Sequence, residues 1–140
     1  MILAAGDRAR ELCERPAWIT GIDHRIEPHA LGLRDLTVSA STRLAGEKAG
    51  VGNGPVDVAE LHASFSHQEP ILRDALGLDG STTIGGVLTE NPMMVAGLER
   101  FGAAAQAITG GNAGRAVAHA SSGACLQQNI VAVLSAEASS

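Results

Sequence analysis

Aromatic side chains are almost missing from this chain of 140 residues, which has one tryptophan, two phenylalanines and no tyrosine. Proteins that bind single-stranded nucleic acids by base stacking need several aromatic side chains, so this class is excluded. The formal net charge is −5, from 10 basic and 15 acidic residues. A negative charge opposes binding to phosphate backbones and to anionic membrane surfaces. We therefore expect neither a nucleic acid nor a membrane as partner.

Cysteine is also scarce, because the chain has only Cys13 and Cys125, which are far apart and form no CxxC pair. This pattern excludes a disulfide framework and a structural zinc site, and we expect no metal. The apolar start is too short for a signal peptide and becomes charged at Asp7. No stretch approaches the length of a membrane span. These absences predict a cytoplasmic protein.

Hydrophobic residues are plentiful, at 45% of the chain against 18% charged residues. This balance predicts a folded chain whose core is built from small aliphatic side chains. The length suits one domain, which we place at residues 1–137, followed by a frayed tail at 138–140.

The pattern of apolar residues predicts strands that alternate with helices. The predicted strands are 17–27, 56–62, 115–123 and 125–134, and the predicted helices are 1–12, 41–48, 67–77 and a long one that begins at Asn91-Pro92. Residues 79–90 are predicted as a loop. This alternation indicates an α/β fold with a mainly parallel sheet, an antiparallel final strand and helices on the faces.

Three local patterns refine these elements. Ser66 and Glu69 have the S-x-x-E spacing of a capping box at the start of the third helix. In the fourth helix, apolar residues from Met94 through Leu98 to Ile108 recur at helical spacing, and Gly97 and Gly102 suggest close packing against a neighbour. The glycine-rich segment at 50–55 follows a helix and lacks the G-x-G-x-x-G spacing, which indicates a turn.

Three residues that could carry chemistry stand at the ends of predicted elements, where open α/β sheets bind their ligands. They are His62, Asn91 and Cys125. His62 could orient a carbonyl oxygen or a water, and Cys125 could act as an acid or base. Two ordinary explanations stay open: a hydrogen-bonded structural histidine, and a cysteine that fills space as a small hydrophobe.

Three segments of the chain resemble the C-terminal half of thiolases, in the branch of the sterol-carrier-protein thiolases and thiolase-like lipid-transfer proteins. The segments are VDVAELHASFSHQEP, GGVLTENPMMVAGLERFG and AHASSGACLQQNIVAVL. The resemblance extends through nearly the whole chain and implies a thiolase-like C-terminal domain. Residues 1–13 would then be the tail of a helix from the N-terminal half.

The resemblance implies a role for each of the three residues. His62 stands in the place of the family's Asn-Glu-Ala-Phe motif, and would hold a water or the thioester oxygen in an oxyanion hole. Asn91 replaces the histidine of the Gly-His-Pro motif, and its amide can donate a hydrogen bond but cannot take a proton at pH 7. Cys125 matches the second catalytic cysteine, which moves the proton at the α-carbon.

The function that the resemblance implies is acyl transfer that makes or breaks a carbon–carbon bond next to a coenzyme A thioester. The thioester would be the substrate, with no permanently bound cofactor. Retro-aldol cleavage is a second possible reaction, but the lack of tyrosine favours thiolase chemistry. The family's nucleophilic cysteine lies in its N-terminal half, and Cys13 is no substitute. We therefore expect no activity from this chain alone.

A different class of function also fits the sequence, in which the chain is a non-catalytic structural subunit or a truncated fragment of a thiolase-like complex. The missing nucleophile and the replaced histidine at Asn91 favour this alternative. In both cases the resemblance implies a partner. It would be the N-terminal thiolase half, another copy, or a small protein with an OB fold and a zinc ribbon.

Overall fold

A computed structural model describes residues 2–85 and 94–138, which form a mixed sheet with helices on both faces. The strands are Trp18–Ile26 (β1), Val58–Glu60 (β2), Thr83–Ile84 (β3), Arg115–Ser122 (β4) and Gln128–Ser135 (β5). The helices are Gly6–Leu12 (α1), Ala40–Ala49 (α2), Gln68–Leu76 (α3) and Ala96–Thr109 (α4). Within the described ranges, two short 3-10 turns are also present, at Leu31–Leu33 and Val51–Asn53.

The strand order in the sheet is β1-β5-β4-β2-β3. β2 pairs in parallel with β3 and β4, whereas β5 is antiparallel to both β4 and β1. β1 to β4 therefore run in one direction and only β5 opposes them. This confirms the predicted α/β class and the antiparallel final strand. It also brings the carboxyl ends of β1, β2, β3 and β4 to one edge of the sheet, which we call the carboxyl edge.

The hydrophobic core has two parts, one on each face of the sheet. On one face, α2 and α3 cover an aliphatic cluster that includes Leu72, Val117 and Val131. On the other face, Ala104 and Ile108 of α4 pack on the small side chains of β4 and β5. The small aliphatic core predicted from the composition is therefore confirmed.

The outermost strand, β1, exposes apolar side chains on the α4 side of the sheet. Ile19 lies opposite Leu134 and Ile22 lies opposite Ala132, and both partners belong to the cluster under α4. Ile19, Ile22 and Ile26 nevertheless stay 48%, 53% and 60% exposed. The helices therefore do not cover this part of the sheet.

Several predicted element boundaries are wrong. The first helix begins at Gly6, because the residues before it offer no side-chain cap. The capping box of Ser66 and Glu69 does not form, since the N-cap of α3 is His67 and its side chain makes no capping bond. Instead, the side-chain oxygen of Gln68 accepts a hydrogen bond from the Phe65 backbone N–H.

The middle of the chain differs most from the predicted elements. β2 spans only Val58–Glu60, because the chain turns directly afterwards, where the Ala63 N–H bonds the Leu61 carbonyl. Residues 79–90, predicted as a loop, contain the two-residue strand β3. It pairs with β2 through two backbone hydrogen bonds: the Thr83 N–H donates to the Asp57 carbonyl, and the Gly85 N–H donates to the Ala59 carbonyl.

The fourth helix is amphipathic, and its buried face matches the predicted one only in part: Ile108 is buried and Phe101 packs on the core, as predicted. Within the described part of the chain it begins at Ala96, and Met94 is 94% and Leu98 53% exposed. The buried positions recur every four residues: Ala96, Arg100, Ala104 and Ile108. The predicted close packing is confirmed at Gly97, because a Cβ atom there would lie 2.5 Å from the Ala120 Cβ. It is wrong at Gly102, where a Cβ atom would meet no described atom within 4 Å.

Candidate functional site

The structure places two of the three predicted site residues at the carboxyl edge of the sheet. His62 lies just after β2 and Cys125 lies in the turn after β4. Because β2 and β4 are paired parallel neighbours, the segments that carry these residues leave the sheet side by side. Open α/β sheets bind ligands at this edge. Asn91 and the Gly-His-Pro-like segment lie outside the described residues.

His62 is half-buried and is fixed to β4 by two hydrogen bonds from one residue. The Ser121 backbone N–H donates to His62 Nδ1 over 3.3 Å, and the Ser121 hydroxyl donates to the His62 carbonyl over 3.2 Å. Since Nδ1 accepts a bond from an amide, the neutral ring carries its proton on Nε2. Burial, followed by the positive charge of Arg100, lowers the pKa of His62. The ring is therefore neutral at pH 7, with an Nε2–H to donate.

A buried ion pair lies beneath His62 between the sheet and α4. Arg100 Nη1 donates to Glu60 Oε2 over 2.8 Å, and both side chains are nearly buried. Gly85 lies against this pair, since a Cβ atom there would be 2.1 Å from the Glu60 oxygen. The sequence did not predict this ion pair. The one sign of it in the sequence is a charged residue, Arg100, within the apolar pattern of a helix.

Cys125 is exposed and does not enter the strand as predicted, because it lies in the turn between β4 and β5. Its φ is 52° and that of Leu126 is 57°. Residues other than glycine rarely adopt this left-handed conformation, because Cβ approaches the following carbonyl oxygen. Non-glycine residues held in sparsely populated backbone conformations cluster at active sites and ligand clamps.

The turn that carries Cys125 is held by two side chains from outside it. Arg34 donates from Nη1 to the Cys125 carbonyl over 3.1 Å and from Nη2 to the Ala124 carbonyl over 2.9 Å. Asn129 Nδ2 donates to the Leu126 carbonyl over 2.7 Å. The Arg34 side chain is only 3% exposed, and Asn129 is fully buried.

Asn129 also belongs to a buried hydrogen-bonded chain that the sequence analysis did not find. Its Nδ2 donates to Ser41 Oγ over 2.7 Å, and the Ser41 hydroxyl donates to Glu27 Oε1 over 2.7 Å. Because Nδ2 has two acceptors, the Asn129 oxygen must accept from His119 Nε2, which lies 2.9 Å away. The chain therefore runs in one direction, from His119 to the Glu27 carboxylate.

His119 is fully buried and neutral. Burial lowers its pKa to about 4, although the bond to Asn129 opposes this shift. Its Nδ1 atom has no hydrogen-bond partner among the described residues. The sequence correctly placed His119 in a strand, but no pattern showed which way its side chain points. A polar residue inside the apolar run 115–120 was the one available signal.

Cys13 lies at the opposite edge of the sheet from Cys125. It follows α1 and precedes the amino end of β1, so the length of β1, about 30 Å, separates the two ends. Among residues 2–85 and 94–138, no group of three or more histidine, cysteine or acidic residues could hold a metal ion. Over the same ranges, no helix has the length and apolar character needed to cross a bilayer.

The site thus combines a neutral histidine, whose proton lies on Nε2, with an exposed thiol on a tightly held turn. A scan against protein-family models gives no match for this chain. A search of curated proteins also gives no match.

Proposed function

We propose that this chain supplies the C-terminal half of a thiolase-like acyltransferase site, which makes or breaks a carbon–carbon bond next to a coenzyme A thioester. The observation that carries the proposal is the arrangement at the carboxyl edge. His62 and Cys125 follow two paired parallel strands, and each is fixed by hydrogen bonds from residues outside its own segment. An oxygen-binding group and a proton-moving group beside one carbonyl are what chemistry at a thioester's α-carbon requires.

His62 would stabilise the thioester oxygen. As negative charge develops on that oxygen, a hydrogen-bond donor already fixed in place lowers the barrier without reorganisation. The bond from Ser121 to Nδ1 leaves Nε2–H as the donor. The lowered pKa keeps the ring neutral at pH 7, so His62 would act as a donor and not as an acid.

Cys125 would move the proton at the α-carbon. A thiol on an exposed turn is accessible to a substrate, and the hydrogen bonds from Arg34 and Asn129 restrict where it lies. General acid–base catalysis of this kind contributes about 10² to 10⁴ in rate. It does not need the thiol to form a bond with carbon.

The nucleophile would come from a second half, since covalent acyl transfer needs a thiolate within reach of the same thioester. Cys13 does not meet this need, because it lies at the other edge of the sheet. The exposed apolar face on the α4 side gives such a partner a place to pack. Ile19 and Ile22 of β1 are exposed there, and α4 itself carries a groove of about 710 Å³ lined by Leu98 and Gly102.

The test is acyl-CoA cleavage by this chain, purified together with the proteins encoded beside its gene. We expect turnover in the wild-type complex and a loss of about 100-fold in Cys125→Ser. Cys13→Ser is the matched control and should keep full activity. No turnover in an intact complex, or equal rates in the two serine variants, would contradict an enzymatic role for Cys125.

A second candidate is a structural subunit that completes the fold of another chain without reacting. It is favoured by the exposed apolar face, which needs a partner whether or not the carboxyl edge is active. In this case the complex forms and is stable, but this chain does not change the rate of acyl-CoA cleavage, either as the wild type or as Cys125→Ser. The same pair of variants therefore separates the two functions.

A further inference from the structure

The turn at residues 123–127 reverses the chain between β4 and β5 through several residues with positive φ. Cys125 and Leu126 both have left-handed backbone conformations, next to Gly123 at φ 74°. Glycine would adopt this conformation at little cost, whereas cysteine and leucine each do so at a penalty. Two consecutive penalties persist only where surrounding contacts determine the conformation.

Those contacts come from two separate parts of the chain. Arg34, from the segment between β1 and α2, donates to the carbonyls of Ala124 and Cys125. Asn129, the second residue of β5, donates to the Leu126 carbonyl. Three consecutive carbonyl oxygens are thus bound by side-chain donors, and these bonds define the orientation of each peptide unit around Cys125.

Both donors are themselves held in place. Arg34 lies near the Glu27 carboxylate, with a separation of 3.9 Å between Nη1 and Oε2. Asn129 is locked by His119 on one side and Ser41 on the other. Ser41 in turn bonds the same Glu27 carboxylate. Arg34 and Asn129 therefore meet at Glu27 and form one connected support.

We propose that Arg34 and Asn129 are positioning residues for Cys125, which together hold its turn in the left-handed conformation that presents the thiol at the carboxyl edge. The assignment of Cys125 as the reacting thiol rests on the proposed function. The positioning itself does not, because it concerns only the conformation of residues 123–127.

The test is the alkylation of both cysteines by iodoacetamide, measured by mass spectrometry on the full chain under native conditions. Cys13 in the same molecule is the internal reference, because global unfolding also exposes the half-buried Cys13, whereas release of the turn changes only Cys125. The ratio of the two rates is compared with that of the chain unfolded in urea. In the wild type, the native ratio should differ from the unfolded one.

Arg34→Met removes both hydrogen-bond donors to the turn. We expect it to move the ratio of the Cys125 and Cys13 alkylation rates about tenfold towards its value in the unfolded chain. Arg34→Lys keeps the charge and one donor, so it should restore part of the difference. Arg73→Met is the matched control and should leave the ratio unchanged, because the Arg73 side chain lies on α3 and, among the described residues, pairs with Glu69. If Arg34→Met does not fold, Arg34→Lys and Asn129→Leu decide the question.

Equal ratios in the wild type, Arg34→Lys and Asn129→Leu would overturn the proposal. So would a native wild-type ratio that equals the unfolded one. In the active complex, Arg34→Lys should lower kcat with KM unchanged, which a purely stabilising residue would not do. Alkylation needs no substrate, so failure of the proposed acyl transfer leaves this test decisive.

Discussion

At Cys125, the side chain and the backbone have opposite preferences. The turn requires a positive φ that glycine adopts freely, yet the position holds a cysteine with an exposed thiol. A residue kept at a conformational cost is typical of functional sites, where the strain belongs to the mechanism. His62 is also held at an energetic cost, because it is half-buried and its charged form is disfavoured.

We expect Cys125→Gly to stabilise the isolated chain by about 1 kcal/mol, because it removes the left-handed penalty. Cys13 has φ −144°, so Cys13→Gly is the matched control and should destabilise by about 0.5–1 kcal/mol. Urea denaturation measures both free energies of unfolding. A destabilising effect of Cys125→Gly would show that the turn is not strained at this position.

The buried His119 predicts how stability depends on pH. Its pKa is about 4 in the folded chain and near 6.5 when unfolded. Between these values the unfolded chain binds more protons, so the free energy of unfolding should decrease as the pH falls from 6.5 to 4. The decrease from this group is about 3 kcal/mol.

In His119→Gln the side-chain amide can still donate to Asn129 but does not titrate, so the decrease between pH 6.5 and 4 should become smaller. Urea denaturation over this pH range compares the two proteins. Identical slopes would mean that His119 is not buried as a neutral ring.

At this scale the sequence was informative about which residues stand at strand ends, and less about what holds them. His62 and Cys125 could be placed because each follows an apolar run. The partners Ser121, Arg34 and Asn129 could not, because they come from other parts of the chain and meet only through the strand pairing. Hydrogen bonds between distant residues leave no periodic pattern in a sequence.

At the scale of elements, α4 packs closely on β4 because of small residues. Gly97 lies against Ala120, while Gly102 faces open space within the described structure. The two glycines belong to one helix, so they form a matched pair in which only the neighbour differs. Helix propensity alone favours alanine over glycine by about 1 kcal/mol at each.

We expect Gly102→Ala to stabilise the isolated chain by about 1 kcal/mol, since nothing opposes the added methyl. Gly97→Ala should destabilise it by about 1–3 kcal/mol, because the methyl would overlap Ala120 and push α4 away from β4. Chemical denaturation gives both values. Stabilisation of similar size by both substitutions would contradict the close packing of α4 on β4.

The elements differ in how well their patterns predict them. β1, β4 and β5 were found because they have eight or nine residues with clear apolar patterns. β3 has two residues, and its pairing with β2 is set by tertiary contacts. The face of α4 was predicted only in part, because apolar residues lie on both of its sides and a pattern cannot distinguish a core face from an exposed apolar one.

At the scale of the whole molecule, the exposed apolar face is the strongest sign of a partner. Exposed apolar side chains on the α4 side of the sheet include the isoleucines of β1, and α4 itself exposes Leu98, which lines a groove. Apolar surface of this kind is typical of interaction sites. The face lies on the side of the sheet away from α2 and α3, so a partner could cover it without disturbing that core.

We expect the isolated chain to self-associate through this face, and Leu98→Arg to reduce the association without lowering the free energy of unfolding. Leu44→Arg is the matched control, because Leu44 has a similar exposure, 42% against 53% for Leu98, but lies on α2 across the sheet. Analytical ultracentrifugation at several protein concentrations measures the self-association of each variant. A strictly monomeric wild type, or equal effects of both substitutions, would count against the interface.

Deuterium exchange measures whether Cys125 moves the proton at the α-carbon of a thioester, as we propose. Acetyl-CoA is incubated in D₂O with the reconstituted complex, and NMR follows deuterium uptake into the acetyl methyl group. We predict uptake with the wild type and with Cys13→Ser, and a loss of about 100-fold with Cys125→Ser. Uptake no faster than in buffer, or undiminished in Cys125→Ser, would contradict the account.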